Sequence, residues 1–400
     1  AATLLERDDT GLTAAQMEYS LLERGIEREV MPACEALGIG VLAWSPLGRG
    51  VLTAKYRRSI PADSRAASPH LRGFVEPYLT EDAQGVVEAV ATAAHGLGTM
   101  TWGPDTEEHE ATEQLLAYLD TGGNLVDTAA SNAQGASEEV IGALIGTEVA
   151  REDVILCTKA GAPRDSQTRE ADTSRGHLLD TLDASLTRLG TDHVDLWLVQ
   201  APDAGTPLTE TISALRHAVA SGRSRYVGLS NHPGWAVARA ATLLERDDTS
   251  LTAAQMEYSL LERGIEREVM PACEALGVGL LAWSPLGRGV LTAKYRRSIP
   301  ADSRAASPHL RGFVEPYLTE SAQGVVEAVA TAAQGLGRTP LEVALAWARD
   351  APGVASAIVG ARTPAQLRGS LTATDLRLPS AIRTALDDVT APGIGYPERP

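Results

Sequence analysis

The sequence is poor in cysteine: Cys34, Cys157 and Cys273 are the three in 400 residues. None forms a CxxC pair or stands at a metal-ligand spacing, so neither a disulfide framework nor a zinc module is expected, and a reducing, cytoplasmic setting is. Positive charge is also short. Asp and Glu outnumber Lys and Arg by 52 to 35, leaving a net charge of −17, and such a surface repels phosphate backbones, which argues against nucleic acid as a partner. No apolar run reaches the roughly 18 residues that would span a bilayer, and AATLLERDDT has neither a basic start nor an apolar stretch of the secretory kind. Several catalytic signatures are missing. His109-Glu110 is followed by Glu113 where a zinc protease needs histidine, LGRG at 286–289 is not a GxGxxG turn, and no GxSxG occurs. No metal site is expected.

What the chain does have is a repeat. Residues 1–98 recur as residues 240–337, with five differences: Gly11/Ser250, Ile39/Val278, Val41/Leu280, Asp82/Ser321 and His95/Gln334. Solenoid repeats are shorter, diverged and contiguous. A long, nearly identical pair separated by unrelated sequence reads instead as one recent segmental duplication, natural or introduced by assembly.

From residue 99 onward the sequence alternates between short apolar runs and helical patterns. The runs are GLGTMTWG at the front, then NLVDTA, VILCTKA, VDLWLVQ, RYVGLSN, TAAQMEYS, GLLAWSP and ASAIVGA. Between them, Asp105 with Glu108 offers a capping box for a helix that stops at Gly122. Leu178, Leu179, Leu182, Leu186 and Leu189 form one helical face ending at Gly190. Strands alternating with helices imply a parallel sheet covered on its faces. Eight units predict an α/β fold, a closed (β/α)8 TIM barrel over residues 99–400, preceded by the duplicated strand–helix–strand segment of residues 1–98. A doubly wound open sheet is the competing architecture. The apolar content of 44% can fill either core.

A barrel carries its function at the C-terminal ends of its strands. Those ends hold Asp127, Lys159, Gln200, Ser230, Asn231, Gln255, Trp283 and Arg362. Any one of them is explained by a strand leaving the core. Eight together describe the mouth of a ligand site. Asp127 then raises a question, because the residues that follow it, TAASNAQG, supply no side chain able to act as acid or base.

The same segments, in this order, resemble the aldo-keto reductase family: GLGTMTWG, GGNLVDTA, GASEEVIGALI, ILCTKAG, RLGTDHVDLWLVQAPD, YVGLSN, AAQMEYSLLER, LAWSPLGRGVLTAKY and IVGARTPAQL. The family's usual N-terminal hairpin is replaced by the copied segment, joined at AHGLGTMTWG, where the second copy reads AQGLGRTP. The resemblance implies NADPH lying across the barrel mouth and a small-molecule carbonyl as substrate. Ser230, Asn231 and Gln255 match the positions that hold the nicotinamide carboxamide, and Trp283 matches the aromatic stacked on its ring. Ser284, Leu286, Gly289 and Lys294 match the segment around the pyrophosphate. Arg362 and Gln366 match the adenosine end, where an arginine fork suits a 2′-phosphate and favours NADP over NAD. Ser370 stands where asparagine is more usual. The first copy carries its own Ser45, Leu47, Gly50 and Lys55.

The family's catalytic set is Asp, Tyr, Lys and His, the tyrosine giving a proton to the substrate oxygen. Asp127 and Lys159 occupy two of these positions. Asn132 stands in the tyrosine's place and Gln200 in the histidine's. An amide donates a hydrogen bond but gives up no proton at neutral pH. Three readings follow: an NADPH-dependent oxidoreductase with weakened or altered chemistry; a cofactor-binding barrel without turnover, acting as sensor or partner subunit; or a barrel with Lys159 recruited as a base. The duplicated segment is also a candidate surface for self-association. Because the second copy follows the fifth strand by short connections, it is expected to complete the barrel.

Overall fold

A computed structural model describes residues 14–20, 23–36, 39–45, 72–76, 79, 95–162, 171–246, 249–301, 303–307 and 310–393. The chain divides into two compact units, residues 1–92 and 93–400.

In the second unit eight strands run parallel and close on themselves. They are β3 (His95–Gly98), β4 (Leu125–Asp127), β5 (Ile155–Ala160), β6 (Val194–Val199), β7 (Ser224–Ser230), β8 (Leu251–Glu257), β9 (Gly279–Trp283) and β10 (Val354–Gly360). Each pairs with the next, and β10 pairs back onto β3. This is the (β/α)8 barrel that the alternation predicted. The strands are buried on both faces, which is why they read as near-continuous apolar runs. Leu125, Cys157, Leu196, Leu198, Ala253, Leu281 and Ile358 fill the interior. A larger layer, including Leu97, Leu156, Trp197, Leu229 and Leu280, lies between strands and helices.

The helices follow local rules. Helix Arg175–Leu189 buries Leu178, Leu182, Leu186 and Leu189, leaves Leu179 half-buried, and ends on Gly190 at φ 63°. Helix Glu108–Asp120 starts later than the sequence suggests. Its cap is Glu107, whose amide donates to Glu110 at 3.3 Å, and not Asp105 with Glu108. The reason is a closed turn upstream: Asp105 N donates to Thr101 O and Gly103 N to Thr106 O, which keeps residues 101–106 out of the helix.

The barrel also starts earlier than residue 99. Its first strand is His95–Gly98, the last four residues of the repeated segment. Their counterparts, Gln334–Gly337, form the last turn and cap of helix Glu320–Leu336, with Gly337 at φ 64°. Two glycines make both outcomes feasible. In the strand, a Cβ on Gly96 would lie 2.5 Å from Ile358 Cδ1, so only glycine fits the barrel interior there. In the helix, Gly337 supplies the left-handed cap and Gly335 faces open space. Packing against β4 and β10 overrides the local helical preference.

In the first unit, β1 (Ala14–Glu18) and β2 (Gly40–Trp44) pair in parallel as a two-stranded sheet, joined through helix Val30–Ala36. In the barrel, residues 253–257 and 279–283 of the second copy pair in the same register and form strands six and seven. The second copy completes the barrel, as the shorter connections require. Residues 46–71, which carry Leu47, Gly50 and Lys55, lie outside the described residues.

Candidate functional site

Every strand that contributes a predicted residue delivers it within two residues of its C-terminal end. Asp127 closes β4 and Lys159 is next to last in β5. Both are buried. Lys159 Nζ donates to Asp127 Oδ1 and Oδ2 at 2.7 and 2.8 Å and to Thr128 O at 2.6 Å. Gln255, from β8, adds a bond from Nε2 to Asp127 Oδ1 at 2.7 Å. The buried ion pair thus has further polar partners, the condition under which such a pair is tolerated. The Nζ donors are all directed at these three oxygens. Beneath it, burial pushes the Cys157 thiol well up, with the Asp127 charge adding to the effect, so that sulfur is inert.

The second cluster sits at the rim. Asn132 opens a short 3-10 segment and is half-buried. The residues after it, Ala133, Gln134 and Gly135, all have positive φ, at 48°, 56° and 98°. Two non-glycine residues in succession in that region store strain, typically at about 1 kcal/mol or more each. Ser131 Oγ donates to Gln200 Oε1 at 2.9 Å, which fixes the Gln200 amide with its nitrogen turned the other way. Asn231, at φ 61°, donates from Nδ2 to Gln200 O at 2.9 Å and accepts from Trp283 Nε1 at 3.0 Å. So Gln200, Asn231 and Trp283 form one chain. Ser230 is buried beside it, and its carbonyl accepts from His232 Nδ1 at 2.8 Å. His232 is buried as well, and desolvation lowers its pKa, so it is a neutral, committed group and not a substitute acid.

The segment after β9 is a series of tight turns. Ser284, Gly287, Arg288, Gly289 and Ala293 all have positive φ. Gly287 N donates to Ser284 O, and Leu286 O accepts from Gly289 N and Leu291 N. A Cβ on Gly289 would meet Lys294 Nζ at 3.3 Å, so the exposed Lys294 ammonium lies beside the turn. Arg288 braces it. Its guanidinium pairs with Glu257 at 2.6 and 2.8 Å, covers the Phe313 ring at 4.2 Å and lies 5.8 Å from the Trp283 ring. Phe313 in turn stacks on Trp283 at 6.5 Å.

Arg362 and Gln366 meet at the turn after β10, where Gln366 Oε1 accepts from Arg362 N at 3.1 Å. Thr101 and Thr106, from the loop after β3, donate to Ala361 O and Arg362 O. Ser370 is buried and donates to Gln366 O. Sequence reasoning missed Arg304. Burial lowers its pKa and the neighbouring Arg362 charge lowers it further, while Tyr295 and Asp105 oppose the shift. Arg304 thus lies near enough to Arg362 to sense its charge, with Asp105 and Tyr295 offsetting part of it. The sequence offered little hint: Arg304 is one of two arginines in SRAASPHLRG, far from Arg362. Among the described residues no group of three or more His, Cys, Asp or Glu could hold a metal ion, and no helix is long and apolar enough to cross a membrane.

The site therefore has an intact charged floor, Asp127 with Lys159, under a rim of amides. Comparison with known proteins gives the family. The pattern of the Aldo/keto reductase family matches residues 94–391 and, separately, residues 2–96. An uncharacterized oxidoreductase of Bacillus subtilis, YrpG, is 35% identical over 76% of this chain and 94% of its own length. A probable voltage-gated potassium channel subunit beta of Arabidopsis thaliana is 32% identical over 78% and 95%. L-glyceraldehyde 3-phosphate reductase of Escherichia coli (strain K12) is 34% identical over 60% and 70%. Barrel, order of segments and relatives agree: the chain belongs to the aldo/keto reductase family.

Proposed function

We propose that the protein is an NADPH-dependent oxidoreductase acting on the carbonyl of a small molecule, with chemistry weakened by the loss of its proton donor. The observation that carries this is the Asp127–Lys159 pair, held in place although Asn132 and Gln200 occupy the remaining catalytic positions. The residues present fit the cofactor. Arg362, with the Arg304 charge in its neighbourhood, suits a 2′-phosphate. Positive-φ turns over residues 284–293, with Lys294 beside them, suit a pyrophosphate. Trp283, Asn231, Ser230 and Gln255 supply a ring face and amides for the nicotinamide end, while Leu286 and Gln366 shape the turns at either side. When bound, the reduced nicotinamide supplies hydride to the carbonyl carbon.

The chain's own residues then act on the carbonyl oxygen. Asn132 and Gln200 donate amide hydrogen bonds to it and orient it. Lys159, locked on Asp127, contributes a fixed positive charge beneath. No side chain in this set hands over a proton, so the oxygen takes one from water. Losing a positioned general acid typically costs about 10²- to 10⁴-fold in rate.

A second reading is a cofactor-binding barrel without turnover that serves as a sensor or partner subunit. It is favoured by the same two amides and by the relative named as a probable potassium channel subunit beta. NADPH oxidation with 4-nitrobenzaldehyde separates the two, measured on the wild type, Asn132→Tyr, Gln200→His and the double variant, with cofactor binding followed by tryptophan fluorescence. The wild type should turn over barely above background, and the double variant should gain at least about 10²-fold at saturating NADPH. Gln200→His alone should gain much less, and the two effects should not add, because both act on one oxygen. Rapid wild-type turnover would show that another residue is the acid. A double variant that binds NADPH yet stays inert would favour the second reading.

A further inference from the structure

We propose that residues 14–44 are a working replacement for residues 253–283: either copy can form strands six and seven of this chain's barrel.

The first observation is structural equivalence without shared surroundings. β1 and β2 pair Ala14 with Gly40 through Glu18 with Trp44, and β8 and β9 pair Ala253 with Gly279 through Glu257 with Trp283. The local contacts repeat as well. Tyr19 donates to Glu27 at 2.8 Å and Tyr258 to Glu266 at 2.7 Å. Arg24 and Arg263 each grip the matching glutamate, at 2.8 Å from Nε in both. Ile39 N reaches Cys34 O at 2.8 Å and Val278 N reaches Cys273 O at 2.9 Å. Ser45 and Ser284 share φ 52°. The first copy is already folded as the shape that the barrel accommodates.

The second observation concerns the sequence differences. Within these residues only two positions differ, Ile39/Val278 and Val41/Leu280. Val278, just before β9, and Leu280 within it are two apart, and both are buried in the layer between strands and helices. The first copy gains a methylene at one and loses a methylene at the other. Volume is conserved within one patch, the kind of exchange that cores tolerate best. Every residue facing the barrel interior or the mouth is the same. Gln16 stands for Gln255, so a barrel closed by the first copy regains an amide beside Asp127.

The third is the route. Residues 231–250 tie the second copy directly to β7, whereas residues 45–94 tie the first copy to β3. Loop-closure entropy favours the shorter tether but grows slowly with length. The second copy wins for that reason, and the first remains within reach at the high effective concentration of a tethered segment.

The test uses three full-length variants. Leu281 lies in the barrel interior, 6% exposed, and its counterpart Leu42 is 57% exposed. Leu42→Asp should leave thermal unfolding unchanged. Leu281→Asp should keep a single cooperative transition and sediment as a monomer. In that variant, amide-exchange protection should move from residues 254–256 and 280–282 to residues 15–17 and 41–43. The double variant, with neither copy usable, should lose the cooperative transition. Three results would each overturn the proposal: Leu281→Asp as unfolded as the double variant, Leu281→Asp folded with protection still on residues 253–283, or folding only as a dimer, which would place the replacement in another chain's barrel.

Discussion

Ala15, Gln16 and Met17 have the same sequence neighbours as Ala254, Gln255 and Met256, and the same strand partner. In β8 all three are buried, whereas in β1 Gln16 is exposed and its two neighbours are half-buried. Leu42 and Leu281 differ more, at 57% and 6%. The two regions separate what the residues specify locally from what their neighbours confer. Strand, helix, turn and register are local and appear in both copies. Burial of the two strands comes only where β7 and β10 pair with their outer edges. Removing one leucine side chain from water is worth about 1.5–3 kcal/mol, so most of the second copy's stability is lent by the rest of the barrel. A parallel two-stranded sheet with neither outer edge in a barrel is marginal.

Amide exchange puts this contrast to its strongest test. In the wild type, Leu280–Ala282 should be protected at least about 10³-fold more than Val41–Ala43, an opening difference of about 4 kcal/mol. Equal protection would break the comparison, because it would mean that the strands of the first copy are as well covered as those of the second.

The next largest effect lies at a position where the copies differ. His95 is fully buried in β3, with both ring nitrogens lacking a partner, while Gln334 sits in a helix. Desolvation, with Arg349 and Arg377 nearby, lowers the His95 pKa from 6.5 to about 3. The folded state therefore refuses a proton that the unfolded chain accepts, and stability falls as pH drops from about 6.5 towards 3. At up to about 1.4 kcal/mol per pH unit, the loss between pH 6.5 and 5 approaches about 2 kcal/mol. His95→Gln should remove this part of the acid slope and leave stability at pH 8 little changed. Denaturant melts of both proteins at pH 5, 6.5 and 8 would show it, and parallel slopes would refute it.

An effect of similar size, confined to a single side chain, sharpens the contrast. Gln255→Ala removes a bond to the buried Asp127 carboxylate and should cost about 1–3 kcal/mol. Gln16→Ala, at the matching exposed position, should stay within about 0.5 kcal/mol. Comparable losses in urea melts would mean that Gln16 is also buried.

The parts legible in the sequence are those fixed by short-range pattern. Runs such as VILCTKA and VDLWLVQ announced β5 and β6, because a strand covered on both sides has no polar face to interrupt it. Asp127 and Lys159 were legible because they end such runs, and the structure puts the two side chains together. Distance along the chain hid the rest. Gln255 reaches Asp127 across 128 positions, so its contact could not be read from QMEYS. Arg304 lies in a short segment without periodicity, and only the fold brings its charge within range of Arg362. The helix cap moved from Asp105 to Glu107 because Thr101 and Thr106 are committed to the carbonyls of Ala361 and Arg362.

The seam at Gly96–Leu97–Gly98 bears on how such a chain could arise at all. A joint between two gene fragments survives only if the codons on either side still spell something the product can fold. Here one triplet of residues serves as the closing turn of a helix in one place and as the opening strand of a barrel in the other. A recombination that lands on such a bilingual word adds nearly a hundred residues and still leaves the barrel its first strand.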